Sequence, residues 1–222
     1  DVVFPDETPL PVRVEGDRIF APGIGDDTAN LVALLFAAKY AAEKKLVPAD
    51  GAGVVFVANS GEEGLGNLKG SRKIVETYGK RIKEFVSFDG TYEGICDKAV
   101  GSKRYRVSVA TEGGHSYGAF GNRNAIAYAA SFITTLYAMK VPEAGRTTYN
   151  VGVISGGTSV NSIAQDAQFL YEFRSDSRED LAVMEKHFDA VSAAYAAKGI
   201  GVKTEVLGER PCSGDVDSAS HD

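Results

Sequence analysis

The stretch 54–64, with the sequence VVFVANSGEEG, decides the fold of this chain. Its continuous apolar run predicts a buried strand, and the glycines and carboxylates that follow predict a loop at the strand's carboxyl end. In open α/β sheets, ligands bind in the crevice outside such ends. If the strand geometry continues, Glu62 and Glu63 point in opposite directions, so that one can hold a cation while the other faces a water molecule.

Two further acidic residues occupy the same kind of position. Asp26 stands in GIGDD (23–27), and Asp89 ends FVSFD (85–89), so both follow or punctuate predicted strands. A pair of adjacent glutamates is common in solvated loops and alone indicates little. Because the carboxyl ends of parallel strands meet at one edge of a sheet, several carboxylates in such positions predict a metal site.

Composition excludes several classes of protein. The 222 residues are 44% apolar, and 24 Lys and Arg stand against 30 Asp and Glu, which gives a net charge of −6. The chain has no basic patch for nucleic acid or anionic membranes, and no run of about 20 apolar residues. Cys96 and Cys212 indicate neither a disulfide framework nor a thiolate zinc site. We therefore expect a soluble, cytoplasmic protein, whose chain begins partway through a longer sequence.

Strand and helix patterns alternate along the first part of the chain. We expect Thr28 or Asp27 to cap the first helix. The alternation implies a mainly parallel sheet flanked by helices, and the fold class α/β. The predicted elements are a hairpin at 12–20, a helix at 29–45, a strand at 53–58, a helix at 68–78 and a strand at 84–88.

The pattern changes near Gly101. The order of elements becomes β-α-β-β-α-β, which is typical of a ferredoxin-like α+β domain with an antiparallel sheet. We predict that this domain, 101–208, is inserted into a first domain made of 1–100 and 209–222. Its predicted elements are strands at 105–110, 149–154, 164–173 and 202–207, and helices at 124–139 and 178–197.

Several short motifs resemble, in order and spacing, those of the zinc-dependent aminoacylase, carboxypeptidase and peptidase T family. The resemblance covers nearly the whole chain and implies a catalytic domain followed by that family's lid or dimerisation domain. The motifs are DVVFP (1–5), GIGDD (23–27), GEEG (61–64) and SFD (87–89) in the first domain, and GGHS (113–116), NAI (124–126) and GGTSVN (156–161) in the second.

The resemblance implies two zinc ions, or cobalt or manganese in their place, with a role for each acidic residue. Asp26 bridges the metals, and Glu63 and Asp89 each bind one. Glu62 becomes the general base that takes a proton from the attacking water, a role worth on the order of 10² to 10⁴ in rate. Asp1 matches an aspartate that orients a metal-binding histidine two residues before it.

The resemblance also assigns residues in the second domain and implies a homodimer. His115 would reach the developing oxyanion, commonly from the partner subunit, where a donor is worth about 3 kcal/mol. Asn161 and Arg174 would bind the substrate, because the planar guanidinium of an arginine can bond a terminal carboxylate through two hydrogen bonds. Arg174 fits a charge on the sheet equally well, and His115 by itself is typical of a loop surface.

The chain departs from the family pattern at two metal ligands, since the two expected histidines are absent. We expect His187 to be a surface residue of a helix, and we do not assign His221 as a ligand, because it lies in a segment that resembles one well before the family's last histidine. Segment 210–218 is also shorter than the family leads us to expect. Without imidazole, the carboxylates form an oxygen-only site suited to Mg²⁺, Ca²⁺ or Mn²⁺.

These observations leave three functions open. The first is a zinc-dependent exopeptidase of peptidase T type that cleaves small peptides, and the second is an amidohydrolase that releases the acyl group of an N-acyl amino acid. The third is a noncatalytic, dimeric ligand-binding protein, against which the general base Glu62 argues, because a binder needs no base beside its metal.

Overall fold

The computed structural model describes residues 11–47, 49, 51–63, 66–90, 94–96 and 98–212. They form two compact units, which divide between Ile95 and Cys96. Among these residues, no helix combines the length and the apolar character needed to cross a membrane.

The first unit contains the predicted hairpin and both predicted helices. The hairpin strands pair antiparallel around Gly16, whose φ of 62° lies in the left-handed region that a tight turn requires. Its first helix follows directly on a turn at Ile24–Thr28, and Thr28 occupies the N-cap position without a capping side-chain bond. The elements are β1 (Arg13–Glu15), β2 (Arg18–Phe20), α1 (Ala29–Glu43), α2 (Lys69–Tyr78) and a 3₁₀ turn (Gly79–Arg81).

The two parallel strands predicted at 53–58 and 84–88 are not formed. Neither segment pairs with another strand among the described residues, and all but one of their large apolar side chains are 42% to 72% exposed. A buried parallel strand needs neighbours on both sides and helices over both faces. The apolar run therefore does not itself provide the pairing that defines a strand.

The second unit has the predicted β-α-β-β-α-β order, so the α/β class and the ferredoxin-like domain are confirmed. All pairings in its four-stranded sheet, of order β5-β7-β3-β8, are antiparallel. The elements are β3 (Gly101–Ala110), α3 (Ala125–Tyr137), β5 (Thr147–Gly156), β7 (Asp166–Ser175), α4 (Arg178–Ala196) and β8 (Gly201–Arg210), with a small additional ribbon of β4 (Gly114–His115) and β6 (Ser162–Ile163).

The core of this unit lies between one face of the sheet and the helices α3 and α4. On β7, buried and outward residues alternate, as expected of a sheet that is covered on one side. Phe188 of α4 stacks on Tyr105 and Tyr171, with ring centroids 4.0 Å and 5.7 Å away. Asn124 caps α3 by accepting hydrogen bonds from the amides of Ile126 and Ala127.

Phe188→Ala should lower the free energy of unfolding of the second unit by about 3–5 kcal/mol, because it removes a ring that is 1% exposed and leaves a cavity. Urea denaturation followed by tyrosine fluorescence measures the change. Val183→Ala serves as the control on the same helix, since Val183 is 46% exposed and its loss should cost less than about 0.5 kcal/mol. Equal effects of the two substitutions would contradict the assignment of this core.

Candidate functional site

An acidic cluster lies in the first unit, where the turn before α1 meets the end of segment 84–89. It consists of Asp26, Asp27 and Asp89, which each offer a carboxylate oxygen within 4.8 Å of the others. Asp26 and Asp89 are predicted ligands, and the structure brings these two together. It adds Asp27, which we had considered only as a helix cap.

Asn30 holds the two parts of this cluster in place. It lies in the first turn of α1, is 2% exposed, and donates from Nδ2 to the backbone oxygen of Gly90 at 3.1 Å. The amide of Gly90 in turn donates to Asp89 Oδ1 at 2.9 Å. The start of α1 therefore carries Asp26 and Asp27 and also fixes the loop that presents Asp89.

The residues of the cluster fit a divalent cation. Oδ1 of Asp27 is buried and has no hydrogen-bond partner in the structure. A buried carboxylate oxygen without a donor or a cation is costly, and two neighbouring carboxylates add repulsion. Carboxylate oxygens are ligands for Mg²⁺, Ca²⁺ and Mn²⁺ and also for Zn²⁺. A cation bound by Asp26, Asp27 and Asp89 would satisfy the orphaned oxygen and remove the repulsion.

Glu62 and Glu63 lie in a loop that the start of α2 fixes. The backbone oxygens of Gly61, Glu62 and Glu63 accept hydrogen bonds from the amides of Lys69, Leu68 and Gly66 respectively. Gly70 allows this close approach, since a Cβ there would lie 2.5 Å from the oxygen of Ser60. Neither glutamate belongs to the acidic cluster found among the described residues, so their roles as base and ligand stay predictions.

A second group of predicted residues comes together in the second unit, on the ribbon of β4 and β6. His115 pairs with Ser162, and the amide of Ser116 donates to the backbone oxygen of Asn161 at 2.9 Å. Asn161 also accepts at Oδ1 from the hydroxyl of Ser159 at 2.6 Å. The structure therefore places His115 and Asn161 side by side on the protein surface.

The geometry around His115 indicates which of its nitrogens carries the proton. The amides of Tyr117 and Gly118 both point at Nδ1, each at 3.3 Å, so Nδ1 acts as an acceptor. In a neutral imidazole, the other nitrogen then carries the hydrogen. His115 thereby presents Nε2–H as a donor, which is the form that an oxyanion needs.

Arg174 is not part of this group. It lies near the end of β7, eight residues from Asp166, whereas the ribbon adjoins the beginning of that strand, so about 26 Å of strand separates them. Its Nε and Nη2 donate to the carboxylate of Glu172 at 3.1 and 3.3 Å. This ion pair favours the interpretation of Arg174 as a charge on the sheet, and its role in substrate binding stays a prediction.

Three further residues considered in the sequence are Asp1, His187 and His221. Asp1 and His221 lie outside the described residues. His187 is only partly exposed on α4, and its Nε2 is buried without a hydrogen-bond partner, so it is not the fully exposed surface residue that we expected. Sequence reasoning missed Asn30, although a polar residue in the first turn of an otherwise apolar helix was a usable signal.

Two family models match the chain, and their matches overlap in residues 98–131. Residues 7–131, more than half of the sequence, match the model of peptidase family M28. The chain belongs to this family. Residues 98–199 match the model of a peptidase dimerisation domain, which corresponds to most of the second unit. The predicted resemblance to a metallopeptidase family is thus confirmed, while the narrower likeness to peptidase T stays a prediction.

Solved structures of related fold are larger than this chain. An aminobenzoyl-glutamate utilization protein from Klebsiella pneumoniae is 24% identical at a TM-score of 0.50, over 57% of this chain and 34% of that one. An amidase of the hydantoinase/carbamoylase family from Burkholderia multivorans is 21% identical at a TM-score of 0.48, over 52% and 29%. The chain spans about a third of the length of these structures. No curated protein matches it in sequence.

Asn30→Ala should loosen the acidic cluster, because it leaves the partly buried oxygen of Gly90 without its donor, at a cost of about 1 kcal/mol. Hydrogen exchange followed by mass spectrometry should show segments 24–30 and 85–90 opening together. Asn59→Ala is the control in the same unit, since its bond to Ser71 is exposed and worth little. If both substitutions leave exchange in the two segments unchanged, Asn30 does not hold the cluster.

Glu172→Gln should reduce the acid sensitivity of the second unit. Burial raises the pKa of this carboxyl, but hydrogen bonds from Arg104 and Arg174 outweigh it, and the pKa falls below its ordinary value of 4.5. The ion pairs therefore stabilise the fold above about pH 4.5, and this stabilisation is lost as the pH falls through the lower, folded-state pKa.

Urea denaturation at a series of pH values from about 6 to about 3 measures this effect. The variant should be less stable than the wild type near pH 6 and should lose less stability on acidification. Glu143→Gln, which removes a highly exposed carboxylate far from these arginines in sequence, controls for the lost charge. An unchanged pH dependence in the Glu172 variant would contradict the prediction.

Proposed function

We propose that the protein is a metal-dependent hydrolase that cleaves an amide bond of small peptides. The observation that carries this proposal is that carboxylate oxygens of Asp26, Asp27 and Asp89 lie within 4.8 Å of one another and that Oδ1 of Asp27 is buried without a partner, in a chain of a peptidase family. Acidic clusters on a protein surface are common. One whose buried oxygen lacks a donor has a specific need for a cation.

The roles within the first unit follow from this arrangement. Asp26, Asp27 and Asp89 hold the cation, which when bound polarises a carbonyl group and makes water more acidic. Glu63 is a further proposed ligand, and zinc is the proposed metal, in two copies in the complete protein and with cobalt or manganese as substitutes. Glu62 takes the proton of the attacking water and delivers it to the leaving amine.

His115 and Asn161 serve the same reaction from the dimerisation domain. The Nε2–H of His115 donates to the oxygen that becomes negatively charged as the amide carbon turns tetrahedral. Asn161, beside it on the ribbon, donates from its side-chain amide to the substrate. In a homodimer, which the dimerisation domain supports, the partner subunit can supply these groups.

The proposed substrate is a short peptide from which one terminal residue is released, as in an exopeptidase of peptidase T type. An N-acyl amino acid is the second candidate, because the name of the Klebsiella protein refers to aminobenzoyl-glutamate, an aryl acid joined to an amino acid by an amide bond. Both candidates contain an amide and a free carboxylate, so the same catalytic groups serve either. The proposed location of the enzyme is the cytoplasm.

Glu62→Gln in the full-length protein should lower kcat by about 100-fold or more, because the amide side chain cannot accept a proton. Zinc affinity, measured by calorimetry, and inhibitor affinity should stay within about twofold of the wild type, since this residue is not a proposed ligand. The assay uses tripeptides and N-acyl amino acids in parallel, with zinc, cobalt and manganese. Glu76→Gln, on the exposed side of α2, is the matched control.

The substrates that are turned over in this assay distinguish the three functions. Turnover of tripeptides alone supports the exopeptidase, and turnover of N-acyl amino acids alone supports the amidohydrolase. Binding of a substrate analogue without hydrolysis in the presence of any of these metals would show that the protein is a noncatalytic binder.

A further inference from the structure

We propose that Arg123 and Glu112 are positioning residues for His115. Their ion pair joins the two ends of the loop 112–123, which we call its base. This loop carries His115, and the closed loop holds the imidazole in one orientation and one tautomer. The inference rests on the proposed function, because it assigns these residues to the reaction through His115.

The ion pair joins the two ends of the loop. Nε of Arg123 donates to both carboxylate oxygens of Glu112, at 2.9 and 3.2 Å, and the backbone amide of Arg123 donates to one of them at 3.2 Å. These bonds lower the pKa of Glu112, with the backbone amide of Glu112 itself contributing most. The carboxylate thus stays charged, and the ion pair intact, at a lower pH than for a glutamate without these bonds.

The closed base is also attached to the rest of the domain. Nη1 of Arg123 donates to the backbone oxygens of Lys198 and Gly199, at 3.2 and 2.7 Å, just beyond the end of α4. The backbone oxygen of Glu112 accepts from the side chain of Gln165, which precedes β7. The guanidinium of Arg123 therefore connects both ends of the loop to the segment that follows α4. Only an arginine has enough N–H donors to make these hydrogen bonds at the same time.

A continuous series of hydrogen bonds leads from this base to His115. Asn122, next to Arg123, donates from Nδ2 to the backbone oxygen of Gly113 at 2.7 Å. The amide of Ala119 donates to the backbone oxygen of His115 at 2.8 Å. The turn that results directs the amides of Tyr117 and Gly118 at Nδ1 of the imidazole.

Apart from these bonds and the short pairing of β4 with β6, the loop has little to keep it ordered. Tyr117 and Phe120, its two large side chains, are 90% and 92% exposed, so no apolar core lies beneath it. A segment with few buried apolar contacts opens easily unless polar bonds hold it. Removing Arg123 should therefore release His115 while the sheet and helices stay folded.

A double-mutant cycle in the full-length protein tests the role in catalysis. Arg123→Ala should lower kcat by about tenfold to 100-fold with KM within about twofold, because a donor to the oxyanion acts only in the transition state. Arg123→Lys should recover only part of the lost kcat, since the single ammonium group of lysine cannot form all the hydrogen bonds of the planar guanidinium. The variant with both Arg123→Ala and His115→Ala should be no slower than His115→Ala alone.

Hydrogen exchange gives a second measurement that does not depend on activity. In Arg123→Ala, the amides of Tyr117 and Gly118 should exchange about tenfold faster or more, while the melting temperature stays within a few degrees. Arg106→Ala is the control, since it breaks a comparable half-exposed ion pair with Glu205 on the same domain. It should change neither exchange at these two amides nor kcat.

The outcomes separate this inference from the proposed function. Faster exchange at Tyr117 and Gly118 in a protein without hydrolase activity would keep the assignment of the ion pair to the His115 loop and reject the proposed function. Unchanged exchange at these amides, or additive losses of kcat in the double mutant, would overturn the assignment of Arg123 and Glu112 as positioning residues.

Discussion

The hydrogen bond from Asn30 to the backbone oxygen of Gly90 is the interaction on which the candidate metal site depends. It is partly buried and joins residues that lie far apart in the sequence. Asp26 and Asp27 precede α1, whereas Asp89 ends a segment that pairs with no strand among the described residues. This bond therefore connects the loop of Asp89 to the helix that follows the other two carboxylates. A bond of this kind is worth about 1–3 kcal/mol when its loss leaves the buried partner unsatisfied.

The second unit divides its stability and its function between different kinds of contact. Aromatic rings such as Phe132 and Phe188 fill the space between sheet and helices and provide the stability of the domain. The loop around His115 contributes almost nothing to that core and is held by polar bonds alone. This division lets a donor stand fully at the surface, where a substrate or a partner subunit can reach it, without weakening the fold that carries it.

Local patterns in the sequence were sufficient to predict the elements of the ferredoxin-like domain, because each of its strands and helices has its own periodicity, even though β3 pairs with β7 and β8, which lie far along the chain. They failed for 53–58 and 84–88, because an apolar run shows only that residues are suited to burial, and strand pairing depends on distant partners. The site followed the same rule. Asp26 and Asp89 were found from their position after apolar runs, whereas Asn30, Arg123 and Glu112 act through contacts that no local pattern reveals.

In the proposed metal site, cation binding and the local fold depend on each other. When ionised, two carboxylates within 4.8 Å repel each other by about 1 kcal/mol in a water-like medium, and by more as the site becomes buried. Three such repulsions together are of about the same size as the contribution of one hydrogen bond from Asn30. The bond can therefore bring the carboxylates near each other, but a cation is needed to make their closeness favourable. Because a ligand that binds only the ordered state stabilises that state, metal binding and the ordering of the Asp89 loop are parts of one equilibrium.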